Sequence, residues 1–192
     1  MRPLKIAVAG THSTGKSTFV QALKARLQQD DRVVVDVHDS AVDARDLGFK
    51  ILADHTFEST AWMIAQAIRL ETQASLTAEV IIVDRPVPDA LGYLLAALRH
   101  QERTLEPGCY ERLEAICRAW VGEYDMVFVT ELDASVPIGP GRPADQIFRE
   151  RTAAAVTEIV REMVPNPIVL PFGGTDRAID LCVERLASHV AG

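Results

Sequence analysis

Gly10 and the run Gly15-Lys16-Ser17 stand at the spacing G-x-x-x-x-G-K-[ST], which is suited to holding polyphosphate. Glycines let the backbone curl into a nest of N–H groups that can cradle phosphate oxygens. A helix beginning there adds the positive end of its dipole. In this pattern Lys16 reaches the β- and γ-phosphates and the Ser17 hydroxyl ligates Mg²⁺. Gly10, His12, Ser13, Thr14, Gly15, Lys16, Ser17 and Thr18 then form the nucleotide-binding loop. The plainer reading is a glycine turn between a strand and a helix. The expectation is a nucleoside triphosphate with Mg²⁺. His12 lies inside this loop, either as an acid/base or as packing beside the phosphates.

Asp84-Arg85 follows directly on the apolar run Val80-Ile81-Ile82-Val83. A carboxylate at the end of a buried strand can hold Mg²⁺ or its water beside Ser17, and Arg85 can grip an anion. The bland alternative for Asp84 is to cap the next helix. Arg142, Arg149 and Arg151 lie in or just after a Pro/Gly-rich stretch. Cations that reach a transferring phosphoryl group only on closure offset the charge that builds on its oxygens. Arg142 and Arg149 share one face if helical; in a solvated helix they would instead pair with Asp145 and Glu150. His38, His55, His100 and His189 lack the spacing of a zinc site or a triad. Glu71 reads as a helix-surface acid.

Positioning these groups takes an alternation of apolar runs and helices. Strands are expected at Leu4–Ala9, Val33–Val37, Val80–Val83, Met126–Val129 and Pro167–Leu170. Helices are expected at Ser17–Gln29, Phe57–Ala78, Ala90–Arg99, Glu106–Val121, Ala144–Val164 and Thr175–Val190, with a loop over 131–143. Five apolar strands separated by helices imply an α/β fold, a parallel sheet covered on both faces. Ligands bind beyond the carboxyl ends of such strands, which places Gly10, Asp39, Asp84, Glu131 and Gly173 along one edge. The chain reads as one domain over 1–192, with a lid at about 132–151.

Composition narrows the partners. The 192 residues carry a net charge of −7 and are 48% hydrophobic, so a core forms and nucleic acid, which needs a basic patch, is not expected. Cys109, Cys117 and Cys182 are odd in number and read as thiols of a reduced compartment. No run approaches the ~20 apolar residues of a membrane span, and a cytoplasmic location is expected. The stripes on Ala90–Arg99 and Glu106–Val121 fit either a homodimer face or the monomer core.

The loop Gly10-Thr11-His12-Ser13-Thr14-Gly15-Lys16-Ser17-Thr18 resembles that of the nicotinamide-riboside-kinase-like P-loop proteins, an AAA-type ATP-binding group. Val83-Asp84-Arg85-Pro86-Val87-Pro88-Asp89-Ala90-Leu91-Gly92-Tyr93 resembles the D-R-x-x-x-D-A-x-x-Y segment of that group and of thymidylate kinases. The resemblance spans nearly the whole chain. It implies the three-layer P-loop nucleoside/nucleotide kinase fold, strand order 2-3-1-4-5, and phosphoryl transfer from ATP to a small acceptor. It further implies an acid at the end of the second strand as base, here Asp39 rather than Asp36. It implies lid arginines at Arg142 and Arg149, and an adenine-side turn at Gly173-Gly174-Thr175, which a plain strand-to-helix turn also explains. In related nucleoside kinases the helix bearing Gln66, Arg69 and Gln73 faces the acceptor; the alternative is a polar outer stripe. This chain departs from the relatives' usual Glu-then-Arg, with Asp39 followed by its nearest arginine at Arg45.

Three functions compete. A phosphotransferase uses Lys16, Mg²⁺, Asp84, Asp39, Arg85 and the lid arginines on a nucleoside, nucleotide or similar compound. A regulatory NTPase acts on a protein partner; the chain has no D-x-x-G after the third strand and no N-K-x-D, which disfavours a Ras-like GTPase. A degenerate binding module is weakened by intact Lys16, Ser17 and Asp84.

Overall fold

The computed structural model describes residues 2–133 and 145–191. Five strands, β1 Leu4–Ala9, β2 Val34–Val37, β3 Val80–Asp84, β4 Met126–Thr130 and β5 Ile168–Leu170, form one parallel sheet in the order β2-β3-β1-β4-β5. β1 is central and fully buried, because helices cover both faces. Its side chains alternate as a pleated strand requires. Leu4, Ile6 and Val8 meet Phe19, Leu23 and Leu27 of α1 (Lys16–Gln28) and Cys182 and Leu186 of α7 (Thr175–Ala191). Burying each such leucine contributes about 1.5–3 kcal/mol. Ala7 and Ala9 face the other layer, built from α3 (Phe57–Ala74), α4 (Val87–His100), α5 (Cys109–Trp120) and α6 (Gln146–Met163).

Helix ends follow local chemistry. Thr56 and Ser59 form a capping box at the start of α3: Ser59 N–H donates to Thr56 Oγ1 and Thr56 N–H to Ser59 Oγ. At the other end the Ser75 hydroxyl donates to the Glu71 carbonyl, and α3 stops at Ala74, four residues before the expected Ala78. α4 starts at Val87 rather than Ala90, since Pro88 fits a first turn that needs no N–H from it. Asp145 caps α6 by accepting the Phe148 N–H at 2.8 Å. Gly92 lets α4 cross α6 so closely that a Cβ there would lie 2.7 Å from Val156 Cα.

One element is new and one expectation is corrected. The stretch after β2 holds a short helix, α2 (Ala41–Asp46), and a 3₁₀ turn at Leu52–Asp54. Glu71 is not on the surface but fully buried on α3. Its Oε1 accepts the Tyr124 hydroxyl and its Oε2 the Trp120 Nε1–H, each at 2.9 Å, with Lys5 Nζ 3.6 Å away. Cys109, Cys117 and Cys182 are free and buried. Among the described residues no helix is long and apolar enough to cross a membrane.

Candidate active site

The loop between β1 and α1 leaves Ala9 at the sheet's carboxyl edge and turns through three residues with positive φ: Gly10 at 141°, Ser13 at 56° and Gly15 at 86°. Such angles are natural for glycine and uncommon elsewhere. Gly10 N–H donates to Asp89 Oδ1 at 2.7 Å, so a buried carboxylate on α4 anchors the loop's entry. Thr14 Oγ1 donates to the Thr11 carbonyl at 2.9 Å and lies 2.7 Å from Thr130 Oγ1 at the end of β4. Phe19 N–H closes onto the Gly15 carbonyl at 3.0 Å, starting α1.

Arg149, on the first turn of α6 and 1% exposed, braces the same loop. Its guanidinium donates to the His12 carbonyl at 3.3 Å and the Ser13 carbonyl at 2.9 Å. Buried guanidinium bonds of this kind tie the loop to α6. Arg142, with most of the lid segment expected at about 132–151, lies outside the described residues.

Lys16 is buried and its ammonium donates to the Thr11 carbonyl. Burial, aided by the nearby Arg85 charge, lowers its pKa to about 8, while Asp89, Asp84 and Asp39 pull it back upward. Arriving phosphate would favour the charged form. Ser17 and Thr18 are exposed on the first turn of α1. Asp84, opposite Val8 in the register, has its carboxyl pushed up by burial, and its Oδ1 is buried with no hydrogen-bond partner among the described residues. An orphaned carboxylate oxygen at the carboxyl edge of the sheet, together with the exposed Ser17 hydroxyl, suits a hard divalent cation. Among the described residues no three His, Cys, Asp or Glu side chains cluster to hold a metal unaided, so such an ion would take its remaining ligands from phosphate and water.

Arg85 has φ 68°, a strained angle for a side chain of its size, and this turns it across the strand ends. Its Nε donates to Asp39 Oδ2 at 2.6 Å, and one terminal nitrogen donates to Asp89 Oδ2 at 2.8 Å and the Gly10 carbonyl at 3.3 Å. The guanidinium also lies 4.7 Å over the Tyr93 ring. Asp39 sits past the end of β2 and accepts the Ala41 N–H at 2.8 Å. Burial would raise its pKa, but the Arg85 charge and the Ala41 amide hold it below the usual carboxylate value. Asp36, the alternative acid, is paired with Lys24 of α1 away from this edge.

Asp39 and Arg85 line a cavity of about 110 Å³. Its apolar wall comes from Val37, Val42, Leu52, Met63, Ala67 and Val87, and His55 and Tyr93 close one side. Gln66 and Arg69 are not brought into it. Arg69 Nε donates to Gln66 Oε1 at 2.9 Å and a terminal nitrogen to Gln73 Oε1 at 3.3 Å, a self-satisfied polar stripe, while Met63 and Ala67 supply α3's contribution to the wall. Trp62 stacks on Phe49 at 5.4 Å. Gly173, φ 78°, lies in the exposed turn between β5 and α7. Asp89, Thr130 and His55 were not foreseen as site residues; only Asp89 sat in a legible pattern.

A family model described as an AAA domain matches residues 5–177. The chain belongs to that family. Compared with curated proteins, the sequence has no match. Among solved structures it is similar to NadR protein in complex with NR, at 15% identity and TM-score 0.70, covering 95% of this chain and 51% of that one. A deoxyadenosine kinase from M. mycoides with bound dATP matches at 18% identity and TM-score 0.64, covering 96% and 100%. Thymidylate kinase from Ehrlichia chaffeensis matches at 17% and 0.65, covering 93% and 98%. The chain thus spans about half the length of NadR. Its fold is the P-loop nucleoside/nucleotide kinase type, with the strand order expected from the resemblance.

Proposed function

We propose that the chain is an ATP-dependent phosphotransferase acting on a hydroxyl or phosphate oxygen of a small molecule of nucleoside or nucleotide kind. The observation that carries this is the mostly apolar cavity beside the phosphate loop, with Asp39 and Arg85 at its polar side. A hydrolase or switch needs only a water beside the γ-phosphate, whereas apolar walls serve a second organic molecule. NadR, deoxyadenosine kinase and thymidylate kinase share the fold, which supports the same reading.

In this reading the loop amides and Lys16 hold the β- and γ-phosphates, with the turn at Gly173 on the adenine side. The acceptor oxygen forms a bond to the γ-phosphorus as the bond to the β-phosphate oxygen breaks, and ADP leaves with that electron pair. The hydroxyl proton passes to Asp39. A carboxylate held low by Arg85 is a weak base, which suits a loose transition state where proton transfer comes late. When bound, Mg²⁺ on Ser17 and Asp84 would offset charge on the phosphate oxygens. Arg149 acts by holding the loop's carbonyls, and Arg142 is assigned to the closing segment.

The test is incubation of the purified chain with ATP, Mg²⁺ and single nucleosides or nucleotides, following ADP and the mass of the acceptor. Acceptor-dependent ADP release with a mass gain of one phosphoryl group is expected, and Lys16→Ala should reduce it at least about 10³-fold with an unchanged circular dichroism spectrum. ADP release indifferent to every acceptor would replace this reading with an ATPase.

A further inference from the structure

The cavity wall holds a histidine that the proposed chemistry does not use. His55 follows the 3₁₀ turn Leu52–Asp54 and is 2% exposed. Its Nδ1 lies 2.9 Å from the Leu52 carbonyl. A carbonyl only accepts, so Nδ1 carries the proton and Nε2 keeps a lone pair. Burial lowers its pKa to about 4, the Leu52 bond opposes this and the Arg85 charge adds to it, so the ring is neutral at physiological pH. Arg103 fixes the turn from behind by donating to the His55 carbonyl at 3.0 Å and the Ala53 carbonyl at 3.3 Å. The Tyr93 ring lies 5.7 Å from the imidazole. Among the described residues His55 Nε2 has no hydrogen-bond partner, though it is buried. His55 lines the cavity, and an orphaned buried nitrogen costs free energy unless a ligand that reaches it satisfies it.

Charge narrows the ligand. Arg85 is shared between two carboxylates, Asp39 and Asp89. At the rim, the exposed Arg45 and His38 lie beside Asp46 and Asp43. The arginine inside the wall is thus already held by two carboxylates, which disfavours a phosphate group on the acceptor beside it. We propose that His55 selects the acceptor: its Nε2 accepts a hydrogen bond from an N–H or O–H group of an unphosphorylated, nucleoside-like compound. The inference rests on the phosphotransferase reading and deepens it.

The experiment measures binding by calorimetry and turnover with adenosine, cytidine, guanosine, uridine and nicotinamide riboside, each against its 5′-monophosphate. At least one nucleoside should bind ten-fold or more tightly than its monophosphate. His55→Phe should raise KM for that nucleoside roughly 10- to 100-fold, the effect of leaving one buried hydrogen bond unmade, with KM for ATP within two-fold. His55→Gln, which keeps an acceptor oxygen, should recover most of the loss. In the unaltered protein, ¹⁵N NMR of the imidazoles tests the same contact: His55 Nε2 should resonate as a lone-pair nitrogen and move to lower frequency when the nucleoside is added. An unmoved resonance, an unchanged KM in His55→Phe, an equal rise in KM for ATP, or tighter binding of monophosphates each overturns the proposal. Failure of all ten compounds with ATP binding intact overturns it alone, whereas failure to bind ATP removes the phosphotransferase reading beneath it.

Discussion

A Cβ on Gly10 would sit 1.9 Å from Thr130 Oγ1, and φ 141° is an angle that side chains rarely adopt. These are two separable costs, overpacking of about 1–3 kcal/mol and backbone strain of about 1–3 kcal/mol. Gly10→Ala should therefore destabilise the chain by about 2–6 kcal/mol and abolish ATP binding. Adding Thr130→Ala should return the overpacking part of the stability, since the next atom met, Thr130 Cβ, lies at 3.2 Å. Urea denaturation of both variants decides it; a double variant no more stable than Gly10→Ala would mean that the threonine is not the obstacle. The phosphate loop was legible because its chemistry is contiguous, from Gly10 to Thr18. Thr130 was not, because its partner Thr14 is 116 residues distant and a lone threonine ending a strand carries no local signal. The same applies to His55, whose meaning depends on a tautomer fixed by its own turn and on the ring of Tyr93.

Elements were read from period and composition, and the five strands and long helices emerged within a few residues of their observed ends. Misplaced ends have local causes, such as Pro88 extending α4 backward and Ser75 ending α3 early. α2 carries no readable period, because it is only six residues long and three of them are charged. Glu71 is a different case: helical spacing says which residues share a face, but not that other parts of the fold bring Trp120, Tyr124 and Lys5 to a carboxylate. Burial raises the Glu71 pKa above its ordinary 4.5, against the pull of the Trp120 and Tyr124 bonds and of Lys5. A carboxyl raised on folding favours the native state while protonated, so its contribution is complete below pH 4.5 and fades as pH rises through the folded value. Glu71→Gln cannot ionise. The stability of the unaltered chain relative to this variant should fall as pH rises from 4.5. Glu71→Ala, which leaves Lys5 without its buried partner, should cost about 3–5 kcal/mol near neutral pH. Chemical denaturation at a series of pH values is the measurement. A pH-independent difference between the Glu71→Gln variant and its parent would mean that the carboxylate's charge is not felt by the fold.

Across the whole molecule, one side chain joins the phosphate loop to the proposed acceptor cavity. Asp89 holds Gly10 N–H with one oxygen and Arg85 with the other, and Arg85 in turn holds Asp39. Loop entry, cation and proposed base thus form one chain of hydrogen bonds, its outer links 79 and 46 residues apart in sequence. Nucleotide seated on the loop and acceptor seated against Asp39 both bear on that chain, so each should change the other's affinity by the same factor. Asp89→Asn keeps the shape and an oxygen for Gly10, but its amide would set N–H against the Arg85 N–H. Arg85 would then rest on Asp39 alone. Couplings of this kind are typically about 5- to 150-fold. In the parent, acceptor affinity measured with and without a non-hydrolysable ATP analogue should differ by a factor in that range, and in Asp89→Asn the ratio should fall towards one. Asp39→Asn provides the contrast, since it leaves Gly10 anchored and should weaken acceptor turnover with little change in ATP affinity. Were Asp89→Asn to weaken ATP binding while leaving the ratio intact, Asp89 would be an anchor for the loop only, and the two halves of the site would communicate through some other contact.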